Sequence, residues 1–222
     1  MGFLEEGAIT ACHVERSTVK GQYRAGGLVG ENADGKIVDS HADASVSGAS
    51  DVGGLTGLNS GQISTCFSTG DVEGDRGVGG GLAGSNAGIV THCYSRSRVG
   101  GKSHMGGLVG WNEGGTVSCC FSAGLVSGNG DYVGGLIGCM SSGSVEASFW
   151  DMEASRQLTS ADGMGRMTEQ MRAAATFLGA GWDFVDESAN GTEGIWWMSE
   201  SPDYPHLRWE RSDDDFSASG DT

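Results

Sequence analysis

Large apolar residues are scarce in this chain. Leu, Ile, Val and Phe together account for 40 of the 222 residues, and the formal net charge is -16. Such a composition is typical of disordered chains. Disordered segments, however, are usually rich in proline as well as glycine, and this chain has 41 glycines but only 2 prolines. The sequence therefore predicts an ordered fold that depends on a pattern rather than on bulky side chains.

Several other features are missing, and each absence excludes a class of protein. No apolar run approaches the roughly 18 residues of a membrane span. The first residues lack the basic and apolar regions of a signal peptide, so we expect either a cytosolic chain or an export signal outside this sequence. An acidic surface repels phosphate, which excludes nucleic acid as the expected partner. The 6 cysteines follow no CxxC or CxxH spacing, which excludes a zinc ribbon and a redox pair.

One pentapeptide, Gly-Gly-Leu-x-Gly, recurs five times. The copies occupy residues 26–30, 53–57, 80–84, 106–110 and 134–138, a spacing of 26 to 28 residues. Two residues after each copy lies an asparagine in four copies (Asn32, Asn59, Asn86, Asn112) and Met140 in the fifth. A β-branched residue follows (Ile37, Ile63, Val90, Val117, Val145). Three residues later comes a small residue (Ser40, Cys66, Cys93, Cys120, Ser148). Residues 7–12 repeat the second half of this unit and place Cys12 at the small position.

A period near 27 residues predicts one turn of a β-solenoid, in which successive coils pair at about 4.8 Å. Helical repeats would need amphipathic runs of about ten residues, and residues 1–150 contain none. We therefore predict an all-β solenoid, a β-helix of five to six coils over residues 1–150, closed by a small α+β C-terminal cap. The pattern leaves the handedness open, and right-handed is assigned only by analogy.

In such a solenoid, equivalent residues lie directly above one another and form ladders. We expect an internal leucine ladder (Leu28, Leu55, Leu82, Leu108, Leu136), a stack of turn asparagines (Asn32, Asn59, Asn86, Asn112) and a ladder of small core residues with free thiols (Cys12, Cys66, Cys93, Cys120). The residue after the small position predicts an aromatic stack on one flank: His13, His41, Phe67, Tyr94, Phe121, Phe149.

The unit around Gly26-Gly27-Leu28-Val29-Gly30 and Asn32 resembles the GLUG-motif repeat. The resemblance covers roughly residues 7–150 and recurs five times. Members of that family resemble repetitive segments of bacterial and archaeal surface proteins, including adhesin-like proteins and immunoglobulin-A-specific metalloendopeptidases. The resemblance implies an exported protein at the cell surface, with any enzymatic activity in other domains.

Residues 151–210 have a different composition and predict a capping segment of one helix and short strands. Thr168 is placed to cap a helix that runs to Leu178, with Met167, Met171, Ala174, Ala175 and Leu178 on one face. Residues 182–185 and 195–198 predict strands joined by a turn at Asn190-Gly191. The tryptophans of this region would cover the last coil, and residues 211–222 predict an acidic tail. No equivalent cap precedes the repeats, so we expect a piece of a longer polypeptide.

Candidate chemical sites are weak. His13 and His41 should stack about 5 Å apart, but a solvated pair is a better interpretation than a metal site, and His92 and His104 have no placeable partner. We predict that the protein has no cofactor. The alternative is calcium bound at the repeated turns. HExxH is absent, and a lyase-like cluster would have to use Asp39, Asp43, Asp71 and Arg98, which an ordinary acidic face explains as well.

The sequence thus predicts a non-catalytic structural or adhesion module, an extracellular or cell-surface rigid spacer or binding surface. The alternatives are a carbohydrate-active β-helix enzyme and a glycan-binding module, in which exposed Trp111 beside Asn112 would stack on sugar rings. The expected partners are a surface glycan or another protein, without membrane insertion. The C-terminal tryptophans are better explained as core residues.

Overall fold

The 27-residue period becomes one coil of a parallel β-solenoid of about 5 turns, which confirms the predicted fold class. The structure is a computed structural model and describes residues 2–185, 187–199 and 203–211. Its contacts divide the chain into two compact units, Met1–Thr168 and Glu169–Thr222, whereas the sequence pattern placed the division near residue 150. The predicted acidic tail lies outside the described residues from position 212 onward.

The described residues form short strands and very short helices. The strands are, in chain order, Phe3–Leu4 (β1), Ala8–Thr10 (β2), His13–Lys20 (β3), Tyr23–Gly26 (β4), Val29–Asn32 (β5), Lys36–Val38 (β6), His41–Gly48 (β7), Ser50–Gly53 (β8), Thr56–Asn59 (β9), Gln62–Ser64 (β10), Phe67–Thr69 (β11), Asp71–Gly74 (β12), Gly79–Gly80 (β13), Ala83–Asn86 (β14), Ile89–Thr91 (β15), Tyr94–Ser95 (β16), Arg98–Gly101 (β17), Met105–Gly106 (β18), Val109–Ser118 (β19), Phe121–Ser122 (β20), Val126–Gly128 (β21), Val133–Gly134 (β22), Ile137–Glu146 (β23), Phe149–Asp151 (β24), Met164–Arg166 (β25), Trp196–Trp197 (β26) and His206–Leu207 (β27). The helices are Met152–Ser155 (α1), Thr168–Met171 (α2), Ala174–Leu178 (α3) and a 3-10 turn at Arg208–Glu210.

Three walls of parallel strands enclose the core. Wall 1 contains β1, β2, β5, β6, β9, β10, β14, β15, β19 and β23. Wall 2 contains β3, β7, β11, β12, β16, β17, β20, β21, β24 and β25, and wall 3 contains β4, β8, β13, β18 and β22. The register follows the repeat, because Ile37 pairs with Ile63 and Ile63 with Val90. Residues at equal repeat positions therefore lie in columns along the axis.

The pentapeptide glycines are required by close backbone approach. A Cβ built on the first glycine would lie 1.9 Å from the carbonyl oxygen three residues later, as at Gly80 with Ala83. A Cβ on the second glycine would lie 2.1 Å from the carbonyl oxygen of the next coil, as at Gly81 with Gly107. Real Cβ atoms do not approach backbone oxygens this closely, so only glycine fits where the chain passes between walls 3 and 1.

The interior is filled by columns of moderate-sized side chains. Leu55, Leu82, Leu108 and Leu136 are fully buried, and Leu28 is half-buried against the same core cluster. The β-branched column is also fully buried from Ile37 to Val117. A second cluster lies beside wall 3 and contains a valine column (Val46, Val72, Val99, Val126) with Met105. Stacked columns thus give a dry interior to a chain with few large apolar residues.

A left-handed backbone position recurs once in each coil, directly before the small core residue. It is held by non-glycine residues with φ between 45° and 51°: Ala11, Asp39, Thr65, His92, Cys119 and Ala147. Non-glycine residues in this region are strained by about 1 to 2 kcal/mol. Because successive coils share the bend, the coil-to-coil hydrogen bonds hold each residue in it.

The last coil is covered by the segment after it. The carbonyl of Thr159 accepts from the Gly135 amide, and the Ser160 hydroxyl accepts from the Ile137 amide at 2.8 Å. Strand β25 adds to β24 on wall 2. Residues 157–166 therefore satisfy backbone groups that would otherwise form an open sheet edge.

The second unit departs from the predicted single helix. Helices α2 and α3 are separated at Arg172 and Ala173, and Ala173 is extended. Both Met171 and Phe177 are fully buried, although residues six apart point about 120° away from each other in one continuous helix. The break lets both side chains enter the core. The predicted apolar face is wrong at two positions, because Met167 is 44% exposed and Ala175 is exposed, whereas Met171 is fully buried as predicted.

The predicted hairpin around Asn190-Gly191 is also wrong. Strand β26 pairs antiparallel with β27, and residues 182–185 contribute only a parallel bridge from Phe184 to Trp196. The buried Asp183 carboxylate accepts from the backbone amides of Glu193 and Gly194 and so shapes a loop instead of a two-residue turn. Trp182 and Trp196 are fully buried, with ring centroids 4.5 Å apart.

Candidate functional site: buried ladders and an outer aromatic cluster

The turn asparagines form a continuous chain of side-chain amides inside the solenoid. Asn32 Nδ2 donates to Asn59 Oδ1, Asn59 to Asn86, and Asn86 to Asn112, at 2.8, 2.8 and 2.9 Å. All four residues are fully buried. At the far end Asn112 Nδ2 donates to the carbonyl of Gly115 at 2.8 Å, so no asparagine is required in the slot held by Met140.

The small-residue column is a second hydrogen-bonded ladder. The amide of Cys66 donates to Cys93 Sγ and that of Cys93 to Cys120 Sγ, at 3.4 and 3.3 Å. Ser40 and Ser148 continue the pattern at either end through their hydroxyls, which accept from Cys12 and Cys120. All six cysteines are free thiols.

The thiols differ in environment. Burial raises the pKa of Cys93 well above its ordinary value, with Cys120 and Cys66 adding to the effect. Burial also raises the pKa of Cys119 to about 11, assisted by Cys120 and Glu146. The expectation that Cys12 is a core residue is wrong, because Cys12 is exposed. It lies on the leading coil, where no further coil covers the column among the described residues.

The aromatic column lies on wall 2. Ring centroids are 4.6 Å apart for His13–His41 and His41–Phe67, 4.8 Å for Phe67–Tyr94 and 4.9 Å for Tyr94–Phe121. Phe149 continues the register beyond Phe121. Parallel strands impose this spacing, and it brings the rings within stacking distance.

The histidines considered as metal ligands contact other side chains. His41 Nε2 lies 2.7 Å from Glu15 Oε1, and the His13 ring is tilted against His41. His92 Nδ1 lies 3.1 Å from the hydroxyl of Thr91. In the part of the chain that the structure describes, no three His, Cys, Asp or Glu side chains gather closely enough to hold a metal ion.

The residues of the possible lyase-like cluster occupy three separate columns. Asp39 lies in the left-handed turn and accepts from the Thr65 hydroxyl at 2.6 Å. Asp43 is in register with Thr69, and Asp71 is in register with Arg98 on the next coil. Asp71 and Arg98 line a depression of about 240 Å³ together with Glu73 and Ser127. The four predicted residues therefore do not share one site.

An aromatic cluster on the outer surface was only partly anticipated by the sequence. The His104 ring stacks on Trp111 at 5.6 Å and on Tyr132 at 4.6 Å. Trp111 Nε1 donates to the Ser141 hydroxyl at 2.8 Å, and Tyr132 is 50% exposed. Trp111 was singled out from the sequence, but His104 and Tyr132 were not joined to it. Their shared offset, two residues before the pentapeptide, is the pattern that places them in one column.

Comparison with known proteins identifies the repeat. A family model described as the GLUG motif matches residues 21–47. Residues 21–47 carry the GLUG motif. The matched residues extend from just before β4 into β7 and include the pentapeptide at 26–30. They also include Asn32, whose side-chain amide is the first of the asparagine ladder.

One relative is a protein described as a Gly-rich membrane protein, from Evansella cellulosilytica. It is 42% identical over 78 residues, which is 33% of this chain and 8% of that protein. No solved structure matches the GLUG chain. Neither description names an enzymatic activity. Among the described residues, no helix is long and apolar enough to cross a membrane. The comparisons therefore show the GLUG repeat and a partial likeness to a Gly-rich membrane protein.

Proposed function

We propose that this GLUG chain is a non-catalytic spacer and adhesion module of an exported surface protein. The observation that carries the proposal is the in-register column structure, in which backbone pairing and the buried amide chain run through successive coils. Each coil is held by its neighbours on three walls, so the unit resists bending as one body. The relative described as a membrane protein supports a surface location.

Hydrogen–deuterium exchange of the whole chain tests the spacer role. Amides of the central strands β9, β10, β14 and β15 are expected to exchange slowly and at similar rates, because opening one coil breaks pairing on both sides. The amide of Leu158, whose side chain is 83% exposed, serves as the internal reference for fast exchange. Fast, independent exchange of single central coils would contradict a rigid spacer.

A second experiment separates the module from the carbohydrate-active enzyme. The chain is incubated with a panel of neutral and acidic polysaccharides, and new reducing ends and unsaturated products are measured. We expect no turnover, because the Asp71–Arg98 depression has a volume of only about 240 Å³ and Asp39 and Asp43 lie in other columns. Turnover that is lost in Arg98→Gln would support the enzyme and reject the proposal.

Glycan binding is the adhesive activity that a specific observation favours. The outer cluster of Trp111, His104 and Tyr132 offers aromatic surface next to the hydroxyls of Ser103 and Ser141. Aromatic rings beside hydrogen-bonding groups suit a sugar with one apolar face. A glycan array of wild type and Trp111→Ala tests it. Binding that persists unchanged in the variant would exclude this cluster.

A further inference from the structure

A depression at the junction of walls 2 and 3 lies on earlier coils than the outer aromatic cluster. It has a volume of about 400 Å³ and spans three successive coils. We name it the corner notch and define it by Lys20, Gln22, Tyr23, Asp75 and Arg76 around the floor residues 47–49. The floor is low because the middle coil carries the small residues Ser47 and Ala49 between Lys20 and Gln22 on one neighbouring coil and Glu73 and Asp75 on the other, with glycine at the central position of all three coils.

The rim of the notch has an unusual charge for this protein. Lys20 and Arg76 are both exposed, and they face the notch from coils on either side of the floor. Neither cation forms an ion pair within the described residues. In a chain of net charge -16, two unpaired cations around one concavity make a local site for a carboxylate.

The other rim groups suit a sugar. Tyr23 is 61% exposed and presents an aromatic ring at the edge of the notch. Gln22 and Asp75 are exposed polar groups that can pair with hydroxyls. The Asp75 carboxylate disfavours a dense polyanion such as a run of glutamates, because like charges would meet there.

We propose that the corner notch binds an acidic saccharide, a hexuronate whose carboxylate lies between Lys20 and Arg76 and whose ring packs on Tyr23. This inference deepens the proposed adhesive role by naming a ligand class and a site separate from Trp111. Spacing alone does not require it, so a chain that fails to bind the saccharide remains a spacer.

The test titrates the whole chain with a glucuronate–N-acetylglucosamine disaccharide. Binding is measured by the changes in backbone amide chemical shifts in NMR spectra. Shifts are expected at Gly21, Gly48 and Tyr23. The carboxyl methyl ester of the same disaccharide should bind about ten-fold more weakly, because it retains the ring but loses the charge. Equal affinity of the ester, or shifts confined to other surfaces, would overturn the proposal.

Two matched variants complete the test. Lys20→Glu/Arg76→Glu should weaken binding of the disaccharide by about ten-fold or more, whereas Lys36→Glu/Arg156→Glu, with the same change in net charge at exposed sites outside the notch, should not. Equal loss in both pairs would show a general charge effect and reject the site. If a triglutamate peptide binds as well as the disaccharide, the ligand of the notch is an acidic peptide and the proposed saccharide class is rejected. Exchange rates of β9 and β14 measured on the same samples report the spacer role separately.

Discussion

Leu4 occupies, on the leading coil, the register position that Asn32 holds on the next. Among the described residues, Asn32 Oδ1 is buried and accepts no hydrogen bond. The amide chain therefore ends in an orphan acceptor below an apolar side chain. Its other end is satisfied, since Asn112 donates to backbone carbonyls. The ladder has a direction, and only its acceptor end is costly.

Extending the ladder by one amide should relieve that cost. Leu4→Asn places an Nδ2 donor toward Asn32 Oδ1 and should be more stable than Leu4→Ala by about 1 kcal/mol. Leu4→Asp is the matched control, because it has the same size but brings a carboxylate toward an acceptor and should fall below Leu4→Ala. Urea unfolding measures all three. Equal stability of the Asn and Asp variants would contradict the orphan acceptor.

The loss in the free energy of unfolding when an asparagine is removed should depend on its position in the ladder. Asn59→Ala removes two amide–amide bonds, leaves Asn86 Oδ1 without its donor and leaves Asn32 Nδ2 with only the carbonyl of Gly35, so we expect a loss of about 3 kcal/mol in the free energy of unfolding. Asn32→Ala removes one such bond, and the orphan at Asn32 Oδ1 is exchanged for one at Asn59 Oδ1, so it should cost about 1 to 2 kcal/mol. Chemical denaturation checks the order, which a purely local capping role would not produce.

The second pentapeptide glycine should tolerate no side chain. Gly81→Ala drives a Cβ toward Gly107 O and Ser95 Oγ, and we expect a loss of about 3 kcal/mol or failure to fold. Gly74→Ala is the control, because its Cβ would meet only the flexible end of Met105 at 3.2 Å. Thermal unfolding by circular dichroism compares them. Similar melting temperatures would show that the coils can spread apart.

Strain in the left-handed column can be relieved. Ala147 has φ 45°, so Ala147→Gly should raise the free energy of unfolding by about 0.5 to 1 kcal/mol. Ala87 is exposed and is not among the positive-φ residues, so Ala87→Gly should lower it by a similar amount. The signs of the two changes, read from urea midpoints, are the result. A loss of stability at both positions would refute strain at Ala147.

Alkaline pH should weaken the fold partly through Cys119. Its pKa rises from 9.0 to about 11 in the folded chain, so the folded state favours the neutral thiol. This contribution is fully present below pH 9 and is lost as pH rises from about 9 to about 11, because the unfolded thiol ionises first. Cys119→Ala should reduce the fall in stability over that window. Exposed Cys12→Ala is the control, and an unchanged slope in Cys119→Ala would contradict the prediction.

Periodicity made the solenoid predictable, because stacking forces each repeat position into a column with one chemical role. The burial of Asn86 and Leu82 could be assigned from spacing alone, whereas that of Cys12 could not, because among the described residues its column has a neighbouring coil on one side only. The second unit has no repeat, so local propensity was the only guide there. Local propensity did not predict the break between Met171 and Phe177, because the break depends on both side chains being buried in the core.

The sequence by itself determined the coil length, the glycines at the passage between walls 3 and 1, and the residues that form each ladder. These features follow from a 27-residue period and from parallel pairing at one spacing. Only the tertiary structure decided which residues meet across coils outside those columns. Trp111 meets His104, which holds a different repeat position, and Lys20 lies with Arg76 around one notch, because three-dimensional winding brings together surface residues that no shared repeat offset relates.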